Sequence, residues 1–383
     1  MTILYYFWGE NSEHDIEQVL LQLGHRVLKI TYPFKDYNQD ELFFEQLHNV
    51  FITHKPDLVF SFNFFPVLSD ICQKDQILYF SWIYDCPHFS LFSKSVYNDC
   101  NRIFLFDKVQ YHDLEERHVN HIYHLLLAAN TTRLKEYIPV SFPVESFMHN
   151  ISFVGSFYEN NMFSNISYLP DYLQGYIQGI LSAQGKIWGM DLLSTLLTTD
   201  FLSALKPYID YAQMDGYQIS FHDFCLFLFQ QQLTCQERNK YLNLISEHFP
   251  LDIYSGSNTN VLCPKAAAHG FISYYETMPQ IFNHSKINLN ISLRSITSGI
   301  PLRCMDILGA GGFLLSNFQS ELVDAFVPEQ DFVYFEDEKD LLDKIQFYLT
   351  HEQERMKIAA HGFQTIRENY SYEIQIQKML SYI

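Results

Sequence analysis

The chain has 383 residues, of which 48% are hydrophobic and 18% charged, a globular composition with material for two cores. Lys and Arg number 25 against 44 Asp and Glu, a net charge of −19; with no basic stripe visible, neither nucleic acid nor an anionic membrane surface is an expected partner. No uninterrupted apolar run reaches about 18 residues, which excludes a spanning helix on length.

The opening run MTILYYFWGENSEHD lacks a basic n-region and breaks at Gly9, so it reads as a first strand and not as an export signal. The seven cysteines, Cys72, Cys86, Cys100, Cys225, Cys235, Cys263 and Cys304, are odd in number, scattered and never spaced CxxC. That usage fits a reduced, cytoplasmic protein.

In chain order, periodicity predicts a strand over 3–8, a turn over 9–11 and a helix over 14–23. The unit repeats as strand 26–32, helix 41–53, strand 57–62, helix 67–72, strand 77–83 and strand 102–106. Strands separated by helices of this length imply a parallel sheet with right-handed crossovers and ligands beyond the carboxyl ends of the strands. Two loops there carry polar groups: Gly9, Glu10 and Asn11 after the first strand, and Asp85, Cys86, Pro87 and His88 after the strand ending near 83. Asp85 and His88 can serve as the acceptor of a proton from an attacking hydroxyl; the competing reading has Asp85 capping a turn and His88 in solvent.

His112, His118, His121 and His124 cluster in QYHDLEERHVNHIYHLL without a nearby cysteine. They read as a solvated helix face leading into a strand, and no metal site is expected. The segment PVSFP at 139–143 reads as a linker. A fresh strand over 151–154 then opens onto Gly155 and Ser156 and starts a second α/β domain. From about 160 to 249 the pattern is helical, with apolar-periodic runs over 191–205 and 222–233, an insertion or subdomain. The sheet resumes over 251–255, 269–273 and 287–291, with a helix over 278–283 between the last two. Strands over 313–316 and 332–335 and helices over 321–326, 337–350 and 352–370 follow. Two tandem α/β domains leave a cleft, where small-molecule sites are common.

The segment SKINLNISLRSITSGIPLRCMDILGAGG, residues 285–312, is the strongest functional signal. It reads as an apolar strand, a turn containing Ser298 and Gly299, a helix starting at Pro301, and a second turn at Gly311 and Gly312. A helix N-terminus aims N–H groups at an anion, and Thr297 or Ser298 is placed to cap it. Arg303 and Asp306, three apart, project from one side of that helix. The arginine suits a diphosphate through two parallel hydrogen bonds, and the carboxylate suits a ribose diol. No GxGxxG follows the first strand, which favours a nucleotide-diphosphate sugar over a dinucleotide. The plainer alternative is a surface Arg303–Asp306 ion pair worth less than about 1 kcal/mol.

The runs FISYYETMPQIFNHSKINLNIS, GIPLRCMDILGAGGFLLSN and FVYFEDEKDLLDKIQFYLTHEQERMKIAAHGFQTIRENYSY resemble the C-terminal domain of group-1 glycosyltransferases of the CgeB-like, spore-maturation kind. FVGSFY and WIYDCP resemble the N-terminal half more loosely. The resemblance implies a GT-B fold, an α/β architecture of two Rossmann-like domains facing a cleft: 1–145 on the acceptor side, 146–370 holding the sugar nucleotide and containing the helical insertion, and a final helix over 371–383 crossing back. It also implies a glycosyltransferase using a nucleotide-diphosphate sugar, most simply a UDP-sugar, as donor substrate and no cofactor.

Residue by residue, Asp306 stands where the family usually has a glutamate holding the ribose. Ser298 replaces an earlier glutamate that contacts the donor sugar. The basic pair that often follows Gly155 and Ser156 is absent, leaving Arg294 and Arg303 as phosphate partners, and Tyr274 borders the base. No DxD triplet occurs, so metal-independent departure of the nucleotide is expected, with helix N–H groups and Arg303 taking up the charge. Kinship implies retention of configuration, whereas Asp85 as a base suits inversion. A non-catalytic carbohydrate- or nucleotide-binding protein and a nucleotide-sugar epimerase are the alternatives. The acceptor, whether glycan, protein or lipid-linked, is not legible.

Overall fold

The computed structural model describes residues 1–135, 147–166, 168–211 and 217–383. The linker expected at 139–143 lies outside them. The chain divides into two compact units: Met1–Ala128 with Gln213–Ile219 and Tyr370–Ile383, and Ala129–Ala212 with Ser220–Asn369.

The first unit runs β1 (Thr2–Tyr6), α1 (Glu13–Gln22), β2 (Arg26–Ile30), α2 (Glu41–His54), β3 (Leu58–Phe62), α3 (Pro66–Asp75), β4 (Leu78–Trp82), β5 (Asn101–Leu105), α4 (Lys108–Glu116) and β6 (Ile122–His124). Its strands form one sheet in the order β2-β1-β3-β4-β5-β6, every pair parallel. β3 reads LVFSF and is buried at every position, as expected where helices cover both faces of a parallel sheet. The chain moves one way from β1 to β2 and the other way from β3 onward. The resulting crevice opens at the carboxyl ends of β1 and β3.

The second unit opens with α5 (Thr131–Lys135) and β7 (His149–Val154). Four helices follow: α6 (Asp171–Gln184), α7 (Leu193–Leu196), α8 (Thr199–Leu205) and α9 (Phe221–His248). Then come β8 (Asp252–Tyr254), α10 (Thr259–Leu262), β9 (Ala267–Ala268), α11 (Thr277–His284), β10 (Ser285–Asn290), α12 (Leu302–Gly309), β11 (Leu314–Asn317), α13 (Ser320–Ala325), β12 (Val333–Phe335), α14 (Glu338–Thr350) and α15 (Glu352–Asn369). Its sheet is again parallel, ordered β12-β11-β10-β7-β8-β9. The switch of direction falls between β7 and β10. The last helix, α16 (Tyr372–Leu380), belongs to the first unit, where Tyr372 packs edge-on against Trp82.

Several expectations need correction. The run over 191–205 is two helices, because Leu197 leaves helical geometry (ψ 63°) and Thr198 caps a new start by accepting from the Phe201 amide. The run over 222–233 is only the beginning of the 28-residue α9, capped by Ser220. The strand expected over 269–273 is the two-residue β9 just before it. The four histidines share no helix face: α4 ends at Glu116, His118 and His121 occupy left-handed turns (φ 58° and 56°), and His124 lies in β6. Pro301 is the residue before α12 and not its first residue, and no side chain caps that helix. Ser298 is committed elsewhere, as described below.

The Gly311–Gly312 turn holds the second sheet close to its helices. Gly311 has φ +71°, and a Cβ on Gly312 would sit 2.7 Å from both the Asn288 side-chain Nδ2 and the Phe282 carbonyl oxygen. Backbone therefore passes there at a separation that only glycine permits.

Candidate functional site

In the second unit the switch between β7 and β10 brings two loops together: Gly155–Ser156 after β7 and residues 291–300 after β10. One side chain that sequence reasoning missed joins them. Arg238, on α9, donates through Nε and Nη2 to the Ile291 carbonyl at 3.1 and 2.6 Å and through Nη1 to the Ser156 carbonyl at 2.5 Å. Its guanidinium also lies 5.1 Å from the Tyr158 ring centre. Burial, with a smaller push from the charge on Arg303, lowers its pKa to about 10, which leaves it protonated at neutral pH. It thus supplies a fixed positive charge beneath the loop after β7, whose own sequence, GSFYENN, has no basic residue. The Ser156 hydroxyl accepts from the Tyr158 amide at 3.0 Å. A Cβ on Gly155 would press at 3.2 Å on the Phe153 ring.

Arg294 is 8% exposed. Nε donates to Glu237 Oε2 at 2.8 Å, Nη2 to Glu237 Oε1, and Nη1 to the Ile187 carbonyl at 2.8 Å. The plane lies 3.5 Å from the Trp188 ring centre, and the Arg294 amide donates to Thr234 Oγ1 at 2.9 Å. These contacts fasten the loop after β10 to α9. Thr234, Glu237 and Arg238 fall at i, i+3 and i+4, so one stripe of α9 carries these loop contacts.

Ser298 and Gly299 are buried in the turn before α12. Ser298 Oγ donates to Glu321 Oε1 at 2.7 Å, and the Glu321 amide donates to the Ser298 carbonyl at 3.1 Å. Glu321, on α13, is 2% exposed. A buried carboxylate on a different element is therefore bonded directly to Ser298.

Arg303, Asp306 and Tyr274 are brought together. Asp306 is 4% exposed and accepts from the Tyr274 hydroxyl at 3.0 Å through Oδ1; its Oδ2 is 3.6 Å from Arg303 Nη1. Arg303 is the more accessible member, with its side chain 29% exposed. It lies 5.5 Å from the Phe282 ring centre, and its Nη1 contacts Met278 Sδ. The pair is thus not the surface ion pair that spacing alone allowed. Arg133, also missed, donates to the Tyr275 carbonyl at 3.2 Å and lies 5.6 Å from the Tyr274 ring centre.

In the first unit Asp85 and His88 sit at the carboxyl end of β4, organised by β3. Asn63 occupies a left-handed conformation (φ 59°) in which Oδ1 accepts from the Tyr84 and Asp85 amides at 2.9 and 3.2 Å, while Nδ2 donates to Asp85 Oδ2 at 2.8 Å. His88 Nε2 lies 3.1 Å from the Phe64 nitrogen and 2.9 Å from its carbonyl oxygen, and burial lowers the pKa of the ring. It is neutral at neutral pH and committed to the backbone, not solvated.

The titratable group with the largest consequence in this unit is Glu10, after β1. Burial, reinforced by the Asp85 charge and opposed by the Asn11 amide at 2.7 Å, pushes its carboxyl up to about 7. A carboxyl so tuned can take or give a proton near neutral pH. The polar turn after β1 signalled a loop here, but burial, which tunes the acid, is a tertiary property. The Glu13 carboxylate accepts from the Trp8 and Gly9 amides at 2.6 and 3.0 Å, so the chain itself fills the anion position of this β1–α1 turn.

Residues 238–381 match a family model described as glycosyl transferase-like. No curated relative matches the chain at a significant level. Among solved structures, a glycosyltransferase from Rickettsia africae is similar at 10% identity with TM-score 0.57, covering 100% of this chain and 97% of the other. The Anabaena protein HepE in complex with UDP and glucose gives 10% identity and TM-score 0.57 over 100% of both chains. Sucrose-phosphate synthase from Thermosynechococcus elongatus gives 12% identity and TM-score 0.53 over 100% and 98%. The fold is GT-B, two parallel six-stranded sheets with surrounding helices. The family match supports a transferase enzyme.

Proposed function

We propose that the chain is a metal-independent glycosyltransferase that moves a sugar from a nucleoside-diphosphate sugar, a UDP-sugar, to a hydroxyl or other nucleophile of a glycan, protein or lipid-linked acceptor. The observation that carries this reading is the grouping of Tyr274, Arg303 and Asp306 around α12, beside the switch between β7 and β10. Arg303 donates to the diphosphate, whose oxygens match its planar fork. The amides that open α12 ahead of Cys304, whose own amide bonds the Pro301 carbonyl at 2.9 Å, face the same charge. Asp306 accepts from the ribose hydroxyls, with the Tyr274 hydroxyl holding its carboxylate and the Tyr274 ring bordering the base. Arg294, through Glu237, fixes the loop that leads into this clamp, Gly155 and Ser156 form its opposite lip, and Ser298 and Gly299 face the transferred sugar.

As the bond between the anomeric carbon and the leaving phosphate oxygen lengthens, negative charge accumulates on the departing diphosphate. Fixed donors at that point lower the barrier because they need no reorientation. Arg303, the helix amides and the buried Arg238 charge supply them; the absence of a DxD triplet from the sequence agrees with that assignment. UDP is the nucleotide held by HepE, which supports it as the donor base. Glu10 and Asp85 are the carboxylates that accept the acceptor's proton, with His88 positioning the loop between them. All seven cysteines are free thiols, and among the described residues no helix is long and apolar enough to cross a membrane; both support a cytoplasmic location.

The test is nucleotide release from UDP, GDP and dTDP sugars with and without candidate acceptors. UDP release that depends on acceptor supports transfer. Sugar interconversion without acceptor identifies an epimerase, and binding with neither identifies a non-catalytic binding protein. Resemblance supports retention of configuration. The tuned Glu10 favours a second reading, base-assisted inversion, and the anomeric configuration of the product decides between them.

A further inference from the structure

Away from the α12 clamp, three side chains from adjacent strands of the second sheet converge. His149 opens β7, Asp252 opens β8, and His269 immediately follows β9. His149 Nδ1 is 3.1 Å from Asp252 Oδ2, His269 Nε2 is 2.7 Å from Asp252 Oδ1, and the three ligand atoms lie within 4.8 Å of one another. We propose that these residues form a divalent transition-metal site, with zinc the best-matched ion.

The chemistry of the donor set favours this. Two borderline imidazole nitrogens with a single carboxylate suit zinc and not calcium or magnesium, which demand more oxygen donors. Tetrahedral zinc with nitrogen and oxygen ligands at about 2.0 to 2.1 Å separates neighbouring ligand atoms by about 3.3 Å. The two nitrogen-to-oxygen separations, each to a different oxygen of Asp252, fall within about 0.6 Å of that value, and with one carboxylate oxygen taken as ligand the three donor atoms lie within 4.8 Å of one another, so side-chain rotations admit the ion. Burial is graded: the side chains of His149, Asp252 and His269 are 10, 18 and 36% exposed. The ion therefore has an entry path on the His269 side, and a fourth position remains for water.

A second, independent observation is the support around the ligands. Metal-binding histidines usually hydrogen-bond through their other ring nitrogen, which fixes the tautomer and aims the ligating lone pair. His149 Nε2 is 3.0 Å from the Tyr254 hydroxyl. The same tyrosine stacks on His269 at 4.5 Å between ring centres with 17° between planes, and meets His149 edge-on at 5.8 Å. One side chain thus orients both imidazoles while leaving His149 Nδ1 and His269 Nε2 facing Asp252.

This ion is separate from the leaving-group chemistry. His149 and Gly155 stand at opposite ends of β7, about 20 Å apart at about 3.3 Å per residue. Its role is to fasten an edge: β9 has only two residues, and the segment after it carries Tyr274 to Asp306. Clamping His269 to the starts of β7 and β8 fixes the base of that segment.

The experiment is a titration of chelator-treated, full-length protein with Zn2+ by calorimetry, paralleled by Co2+ titration followed in the visible range. One Zn2+ per chain is expected, with the intense absorption of tetrahedral Co2+. His269→Ala, at an accessible position that leaves folding intact, should weaken binding more than about 10-fold, and Tyr254→Phe should weaken it about 10-fold through the outer contact. His149→Ala should abolish the cobalt spectrum; circular dichroism identifies a folding failure, in which case His149→Gln takes its place. Absence of stoichiometric binding, or binding unchanged in both His269→Ala and the His149 variant, overturns the proposal.

Discussion

Ser298 and Glu321 hold each other twice, hydroxyl to carboxylate at 2.7 Å and amide to carbonyl at 3.1 Å. The loop before α12 and the start of α13 are therefore one unit. Ser298→Ala should cost about 1 to 3 kcal/mol in urea unfolding, because it withdraws a hydrogen bond from a buried ionisable group. Ser298→Glu, the residue that the resemblance implies for this position, should cost more by setting a second carboxylate against Glu321 in a buried site. Equal stability of the two variants would show that Glu321 does not dictate the serine.

Arg303 is the accessible cation of the α12 clamp. Arg303→Ala should raise the dissociation constant for UDP by roughly 10- to 100-fold, the loss of a charge-assisted hydrogen-bond pair of about 1.5 to 3 kcal/mol. Arg303→Lys should recover part of it, since lysine keeps the charge without the fork. Calorimetry gives the constants directly, and unchanged affinity in the alanine variant removes the assignment.

Glu237 and Arg294 are a buried bidentate pair, so breaking it strands a charge. Glu237→Ala should destabilise by about 3 to 5 kcal/mol. The double replacement of Glu237 and Arg294 by apolar residues of similar size should cost less than Glu237→Ala alone. Chemical denaturation of the three proteins distinguishes this from a pair that merely decorates the loop.

Glu10 makes a pH prediction. Its folded-state carboxyl lies near 7, above the value of about 4.3 for an unperturbed glutamate, so the folded chain holds the proton more tightly than the unfolded chain. This residue's contribution to stability is present below about pH 4 and is lost as pH rises through about 7. Glu10→Gln should flatten that segment of the stability profile. If Glu10 is the base, kcat/KM should rise through about pH 7 in the parent protein and lose that limb in the variant.

The alternation of strand and helix was legible because both sheets are parallel and buried: runs such as LVFSF and ISFV are largely apolar whatever their neighbours. The Arg303–Asp306 pair was legible because three residues within one helix define a shared side. Arg238, Glu237, Arg133 and Glu321 were not, since each reaches the site from an element distant in sequence and nothing in its local context marks it. The break between α7 and α8 was missed because Leu197 and Thr198 interrupt the helix without proline or glycine. The two-residue β9 is too short to produce a period of its own.

Because one stripe of α9 carries Thr234, Glu237 and Arg238 to the loop after β10, the helical insertion sets the rotational phase of the clamp. Each residue of an α-helix turns about 100°, so one residue deleted between Phe221 and Thr234 would either swing the N-terminal half of the subdomain around its axis or swing Arg238 away from Ile291 and Ser156. A deletion of seven, close to two full turns, preserves the phase. The tolerance of this protein to length changes in α9 should therefore follow the helical period and not the number of residues removed.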